Sequence, residues 1–283
     1  MLVSCPMLRL VLAVLAASFA VTAAPVVVAA QTLTVTGRDA ARTYTVAGLL
    51  ADPAMRELAV ANDPVFKRAM TYRALPMAVL LRDARIGDGD YVQARAVDDF
   101  SVGIPGPLLA QAAPGQPEAF LAVENPARPW PVLSKGTQKY SAGPFYIVWR
   151  VARPGQVSSE YWVYRLAALT VTDSPDKRWP ALGVAADVPA ADPVRRGLDR
   201  FVAVCMACHR FNGAGEAEQG PDLGRPMNPV EYFQPAALKK LLRDPESVRS
   251  WPERKMPAFD AESLSDSDLD AIVAWLTYKN QHR

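Results

Sequence analysis

Cysteine and histidine are scarce in this chain. Among 283 residues there are three cysteines and two histidines. Cys5 falls in an N-terminal leader, which leaves Cys205 and Cys208 as the cysteines of the remaining chain. One pair cannot build a disulfide framework. A structural zinc site needs four ligands, and outside the leader only His209 and the distant His282 add to the two thiols. Residues 31–175 contain neither cysteine nor histidine, so no thiolate or imidazole is there to hold a metal. An excess of one charge is missing too: 31 Lys and Arg face 29 Asp and Glu. That balance counts against a nucleic-acid binder. Beyond the leader no apolar run is long enough to cross a bilayer.

The leader, residues 1–30, carries one positive charge, Arg9, followed by an apolar run. Val28 and Ala30 occupy the positions that a signal peptidase reads, which predicts cleavage before Gln31 and an exported, periplasmic protein. The alternative is an uncleaved anchor. Residues 10–30 suffice to span a membrane, although Pro25 interrupts them.

The stretch "VCMACHR", residues 204–210, brings Cys205, Cys208 and His209 together. Zinc, a redox dithiol and covalently attached haem all use such clusters. Zinc lacks ligands. A redox Cys-x-x-Cys normally follows a strand, whereas "DPVRRGLDRFVAV" has a helical pattern, with Pro193 in the first turn and Gly197, Phe201 and Val204 on one face. A disulfide closing so small a loop would constrain the unfolded chain very little. Haem accounts for all three residues. Two thiols add across the two vinyl groups of one porphyrin, and the adjacent histidine becomes an axial iron ligand. Covalent attachment of this kind takes place outside the cytoplasm, which agrees with an export signal.

Residues 173–193 carry four prolines and no clear periodicity, which suits a linker. The expected division is a leader at 1–30, a first domain at 31–175, a linker at 176–191 and a second domain at 192–283. The second domain should be helical. In "SLSDSDLDAIVAWLTYKNQ", Ser265 and Asp268 form a capping box, and Leu269, Ile272, Val273 and Leu276 form a helical stripe. A shorter helix is expected around Pro235 to Arg243.

Together these motifs resemble a class I (mono-haem) cytochrome c domain over the whole second domain. Gly197 and Phe201 precede the cysteines as in that family, "GPDLG" (220–224) resembles its proline loop, and "KMPAF" (255–259) resembles its methionine loop. The resemblance implies an all-α fold around one haem, with the first and last helices crossing at Gly197 and Trp275. It also implies His209 and Met256 as axial ligands, and a Pro221 carbonyl bonded to the second imidazole nitrogen. Met227 competes with Met256 for the distal position, and Trp251 is a candidate neighbour of the haem propionates or a packing aromatic.

Residues 31–175 alternate in the manner of strands: "TLTVTG", "RTYTV", "YVQARAVDDFSVGIP", "PFYIVWRVA" and "YWVYRLAALTVTD". "PMAVLLRDARI" has a helical pattern, so a sheet-rich α+β domain is expected. The order of these segments is similar to the sulfite-oxidase-type molybdopterin-binding domain. That resemblance implies a molybdenum held by a cysteine thiolate, and this domain has no cysteine. The expectation is therefore the fold without the metal. Asp98, Asp99, Lys135, Lys139 and Tyr140 are polar candidates that ordinary solvated turns would equally explain. Trp130 in "NPARPWPVL" stands either in a recognition loop or in a packed turn.

Two functions follow as expectations. One is an exported electron carrier whose first domain docks a redox partner, a dehydrogenase or an oxidase. The other is a haem oxidoreductase, or a subunit of one, whose first domain binds an oxidisable substrate and passes electrons to the haem. Lys239, Lys240, Arg243, Arg249, Arg254 and Lys255 would make the haem edge locally basic and attract an acidic partner, unless nearby acids cancel them.

Overall fold

The computed structural model describes residues 32–250 and 256–282. The leader with Arg9, Val28 and Ala30, its cleavage point before Gln31, and Trp251, Arg254 and Lys255 lie outside the described residues.

The N-terminal domain is built from two sheets and a small hairpin. The first sheet runs β2-β1-β11-β5-β6, from β1 (Thr32–Thr36), β2 (Ala41–Thr45), β5 (Asp90–Ala96), β6 (Ser101–Pro105) and β11 (Leu166–Asp173). Only the β1–β11 pair is parallel; it joins the start of the domain to its end. The second sheet runs β10-β7-β4-β3, from β3 (Arg56–Asp63), β4 (Arg68–Pro76), β7 (Glu118–Val123) and β10 (Phe145–Arg150), all antiparallel. The hairpin pairs β8 (Leu133–Lys135) with β9 (Gln138–Tyr140).

Alternation in the sequence becomes burial in the fold. In β1, Leu33 and Val35 face inward while their neighbours are partly or fully exposed. By contrast β7 is buried at every position and β10 at all but Arg150, as expected of strands covered on both faces. The sheet-rich α+β expectation is met, but "PMAVLLRDARI" is helical only over Met77–Leu80. After Leu81 the chain turns, so that Ala84 meets Gly37. A side chain at Gly37 would come within 2.8 Å of the Ala84 backbone. That contact, and the left-handed Arg85 (φ 53°), end the helix that the sequence pattern would have continued.

"DDF" is a turn and not a strand. Asp98 and Asp99 sit between β5 and β6, with Asp99 in the left-handed region at φ 64°. Asp98 pairs with Arg165 at 3.3 Å. Lys135 ends β8, Lys139 is exposed on β9, and Tyr140 stacks on Tyr164. Asp98 and Tyr140 both lie near Tyr164, and Asp99 and Lys139 are exposed. Trp130 stands in a packed turn: its ring meets Tyr72 edge-on at 5.2 Å, and its backbone N–H donates to Glu124 at 2.6 Å.

Residues 173–193 do not hang free. Trp275 donates its indole N–H to the Leu182 carbonyl (3.3 Å), Lys279 donates to the Gly183 carbonyl (3.0 Å), and the Ala185 N–H donates to the Tyr278 hydroxyl (3.1 Å). The segment is thereby strapped along the last helix.

The C-terminal region is all-helical. Its first helix, Pro193–Arg200, is capped by Asp192. It meets the last helix, Asp266–Gln281, whose capping box is the expected Ser265–Asp268 pair. The middle helix covers Pro235–Arg243, as the sequence predicts. At the crossing, a side chain on Gly197 would come within 2.0 Å of the Ala271 carbonyl and 2.6 Å of Trp275 Cβ. Trp275 packs below it against Phe201 (4.4 Å between ring centres) and Phe211 (4.9 Å). Replacing Gly197 with valine should therefore separate the two helices and cost roughly 1–3 kcal/mol, as overpacking of a filled core does. Chemical denaturation followed by far-ultraviolet circular dichroism checks this; an unchanged midpoint would refute the close crossing.

Candidate functional site

The helix Pro193–Arg200 does not end at the core. It continues as one π turn, Phe201–Cys205, in which the Met206 N–H reaches back to the Phe201 carbonyl at 3.0 Å. Such turns change the direction of a helix's side chains and often mark functional sites. Here the π turn buries Phe201 to Val204 and leads directly into Cys205, Cys208 and His209. The His209 N–H bonds the Cys205 carbonyl at 2.8 Å, so the motif itself closes into a compact turn.

The three motif residues line one cavity of about 420 Å³. Pro221 and Met256 line the same cavity, with Phe201, Leu238 and Ile272 among its apolar walls. The sequence spread these residues over more than fifty positions, and the fold brings them together. Met227 does not line the cavity and is half exposed.

His209 is oriented through its far nitrogen. Its Nδ1 lies 2.8 Å from the Pro221 carbonyl, so Nδ1 carries the hydrogen and donates it. Nε2 keeps its lone pair. Burial pushes the imidazole below its ordinary pKa, against the raising effect of the Pro221 bond, and so favours the neutral ring that a metal requires. Gly220 makes this arrangement possible, because a Cβ there would fall 2.4 Å from the His209 ring.

Asp222 fastens the proline loop. Desolvation works against its charge, but backbone N–H groups of Gly224, Gly213 and Asn212 donate to its carboxylate at 2.6–2.8 Å and hold it below the usual carboxylate range. The quoted motif "GPDLG" contains this residue, yet no pattern in the sequence tells a loop-fastening aspartate from a solvated one.

The two cysteines are not joined to each other. Burial, with Cys208 and Glu160 nearby, pushes Cys205 up to about 12, and burial with Glu160 pushes Cys208 up to about 11. A redox dithiol works through a lowered pKa, so these surroundings suit it poorly. No cluster of three or more potential metal-ligating His, Cys, Asp or Glu side chains occurs among the described residues, and His282 instead stacks on Tyr278 at the chain's end. Haem fits the remaining donor set: two thiols on one wall, a neutral imidazole presenting Nε2, a soft thioether from Met256, and apolar walls.

Two contributors to the site come from outside the motif, and sequence reasoning did not find either. Glu160 of the N-terminal domain lines the cavity. Glu216, in the loop after the motif, accepts hydrogen bonds from Arg95 (2.8 Å) and Arg178 (2.5 Å) and so ties that loop to the first domain and the strap. Nothing near either residue in the chain signals a role, because the partners are distant in sequence.

The expected basic edge is reduced by pairing. Lys239 pairs with Asp270, and Arg243 pairs with Asp266 at 2.6 Å while also donating to the Phe259 carbonyl. The acids of the last helix thus neutralise two cations of the middle one.

No curated protein matches this chain. Residues 194–278 match the family model described as cytochrome c. With its crossed terminal helices and its thiol-and-imidazole cavity, the C-terminal region of this chain is a cytochrome c domain, and that domain implies haem c and a haem-based role in electron transfer.

Proposed function

We propose that the protein is an exported c-type cytochrome carrying one haem, with Cys205 and Cys208 as the covalent attachment points and His209 and Met256 as axial ligands. The N-terminal domain serves for partner docking or ligand binding. The observation that carries this reading is the single cavity lined at once by Cys205, Cys208, His209, Pro221 and Met256.

Each residue has a distinct task. Cys205 and Cys208, at and just beyond the end of the π turn, would hold the porphyrin by adding their S–H groups across its two vinyl groups. Pro221 holds the His209 ring so that Nε2 faces the cavity, and this second-sphere bond also raises the basicity of the ligand. Met256 would supply a soft thioether to the iron; its position on the cavity wall favours it over Met227. The haem supplies a one-electron ferric–ferrous couple, and His/Met ligation raises its potential. The apolar walls keep water away from the iron. With His209 and Met256 both available to hold the iron, the reading is electron transfer and not chemistry on a bound oxidant. The redox partner proposed is a dehydrogenase or an oxidase, met in the periplasm.

The N-terminal domain is proposed to hold no molybdenum, since residues 31–175 contain no thiolate for it. Metal analysis of the purified protein should find iron at one per chain and no stoichiometric molybdenum. Molybdenum at one per chain would favour a substrate-oxidising enzyme instead.

Acid–acetone extraction should leave the colour on the protein, with a mass increment of one haem. Colour passing into the solvent would end the covalent reading. Met256→Ala should abolish the weak sulfur-to-iron charge-transfer band of the ferric protein, lower the midpoint potential and admit carbon monoxide to the ferrous iron. Met227→Ala should leave all three unchanged. The reverse outcome would move the distal ligand to Met227.

A further inference from the structure

The cavity is not enclosed by the cytochrome c domain alone. Among the described residues one acidic side chain interrupts its lining, and that side chain, Glu160, belongs to the N-terminal domain. Glu160 lies in the short turn Ser159–Tyr161. Ser158 fastens that turn: its hydroxyl donates to the Ala203 carbonyl of the π turn at 2.7 Å and accepts from the Glu160 N–H at 3.3 Å. Glu160 is thus tied to the segment that delivers Cys205.

Its carboxylate is poorly compensated. The Ser159 hydroxyl donates to it over a long 3.3 Å, and no cation pairs with it among the described residues. Its field reaches both attachment points, since it raises the pKa of Cys205 and of Cys208. Among the described residues the other titratable groups around the cavity are the two thiols, His209 and Tyr232. On its own turn stands Tyr161, on which Arg200 and Asp199 of the first helix act. Once attached, the two sulfurs are thioethers and no longer titrate.

A fixed anion beside a haem stabilises the ferric state over the ferrous one, because the ferric iron carries one more positive charge. The interaction is strong where water is excluded. We propose that Glu160 is the residue through which the N-terminal domain lowers the reduction potential of the haem bound in the neighbouring domain. This rests on the haem reading above, and it assigns the first domain a role in tuning as well as in contact.

The sign with pH follows from burial, which pushes the Glu160 carboxyl up. Above its raised pKa the group is ionised and depresses the potential. As the pH falls through that pKa the charge, and with it the effect, is lost.

The test is redox titration of the full-length holoprotein, the isosteric Glu160→Gln variant and the charge-conserving Glu160→Asp variant, each across pH. Glu160→Gln should shift the midpoint upward at alkaline pH and converge on the parent protein in acid, while Glu160→Asp should stay near the parent throughout. Coincidence of Glu160→Gln with the parent at every pH, or an offset that does not change with pH, would overturn the proposal. Loss of the sulfur-to-iron band in Glu160→Gln alone would also overturn it, in favour of a packing role. Absence of covalent haem or of that band in the parent protein would instead strike the His209/Met256 reading, so the two failures are distinguishable.

Discussion

The site depends on a contact that exists because a side chain is missing. At Gly197 the first helix of the cytochrome c domain lies against the Ala271 carbonyl of the last, closer than any residue with a Cβ would permit. The crossing sets the floor on which Phe201, Phe211 and Trp275 pack. On that floor the chain leaves the α-helical path for one π turn. The π turn in turn fixes where the two thiols and the imidazole stand. Apolar packing therefore places the chemistry, and polar bonds from Pro221 and Asp222 refine it.

Two domains share one cavity, and polar bonds cross the join between them. Ser158 reaches the Ala203 carbonyl, and Arg95 and Arg178 converge on Glu216. Apolar residues of both domains also belong to one buried cluster. Here the strap of residues 174–192 adds a second restraint, running along the last helix through Trp275, Tyr278 and Lys279. The first domain is consequently fastened to both ends of the cytochrome fold, at the motif and at the C-terminal helix.

The cytochrome c domain was legible in the sequence to the level of single residues. Gly197, the Ser265–Asp268 capping box and the middle helix at Pro235–Arg243 are local signals, and local signals survive into the fold. The cavity residues were legible because their spacing belongs to a known motif. The π turn was not, since Phe201–Cys205 carries no composition that distinguishes it from an α-helix. In the first domain the strands were legible from alternation, but the helix after Met77 was overestimated. Its termination is decided by a tertiary contact with Gly37 that no window of sequence contains. Glu160 and Glu216 escaped for the same reason. Each acts on a neighbour contributed by another part of the fold.

The turn bearing Glu160 also ties the order of the chain to the site. It belongs to the domain that is synthesised first, and it closes over the π turn that leads to Cys205. The two domains therefore meet at the segment that carries Cys205, through the Ser158 and Glu216 bonds.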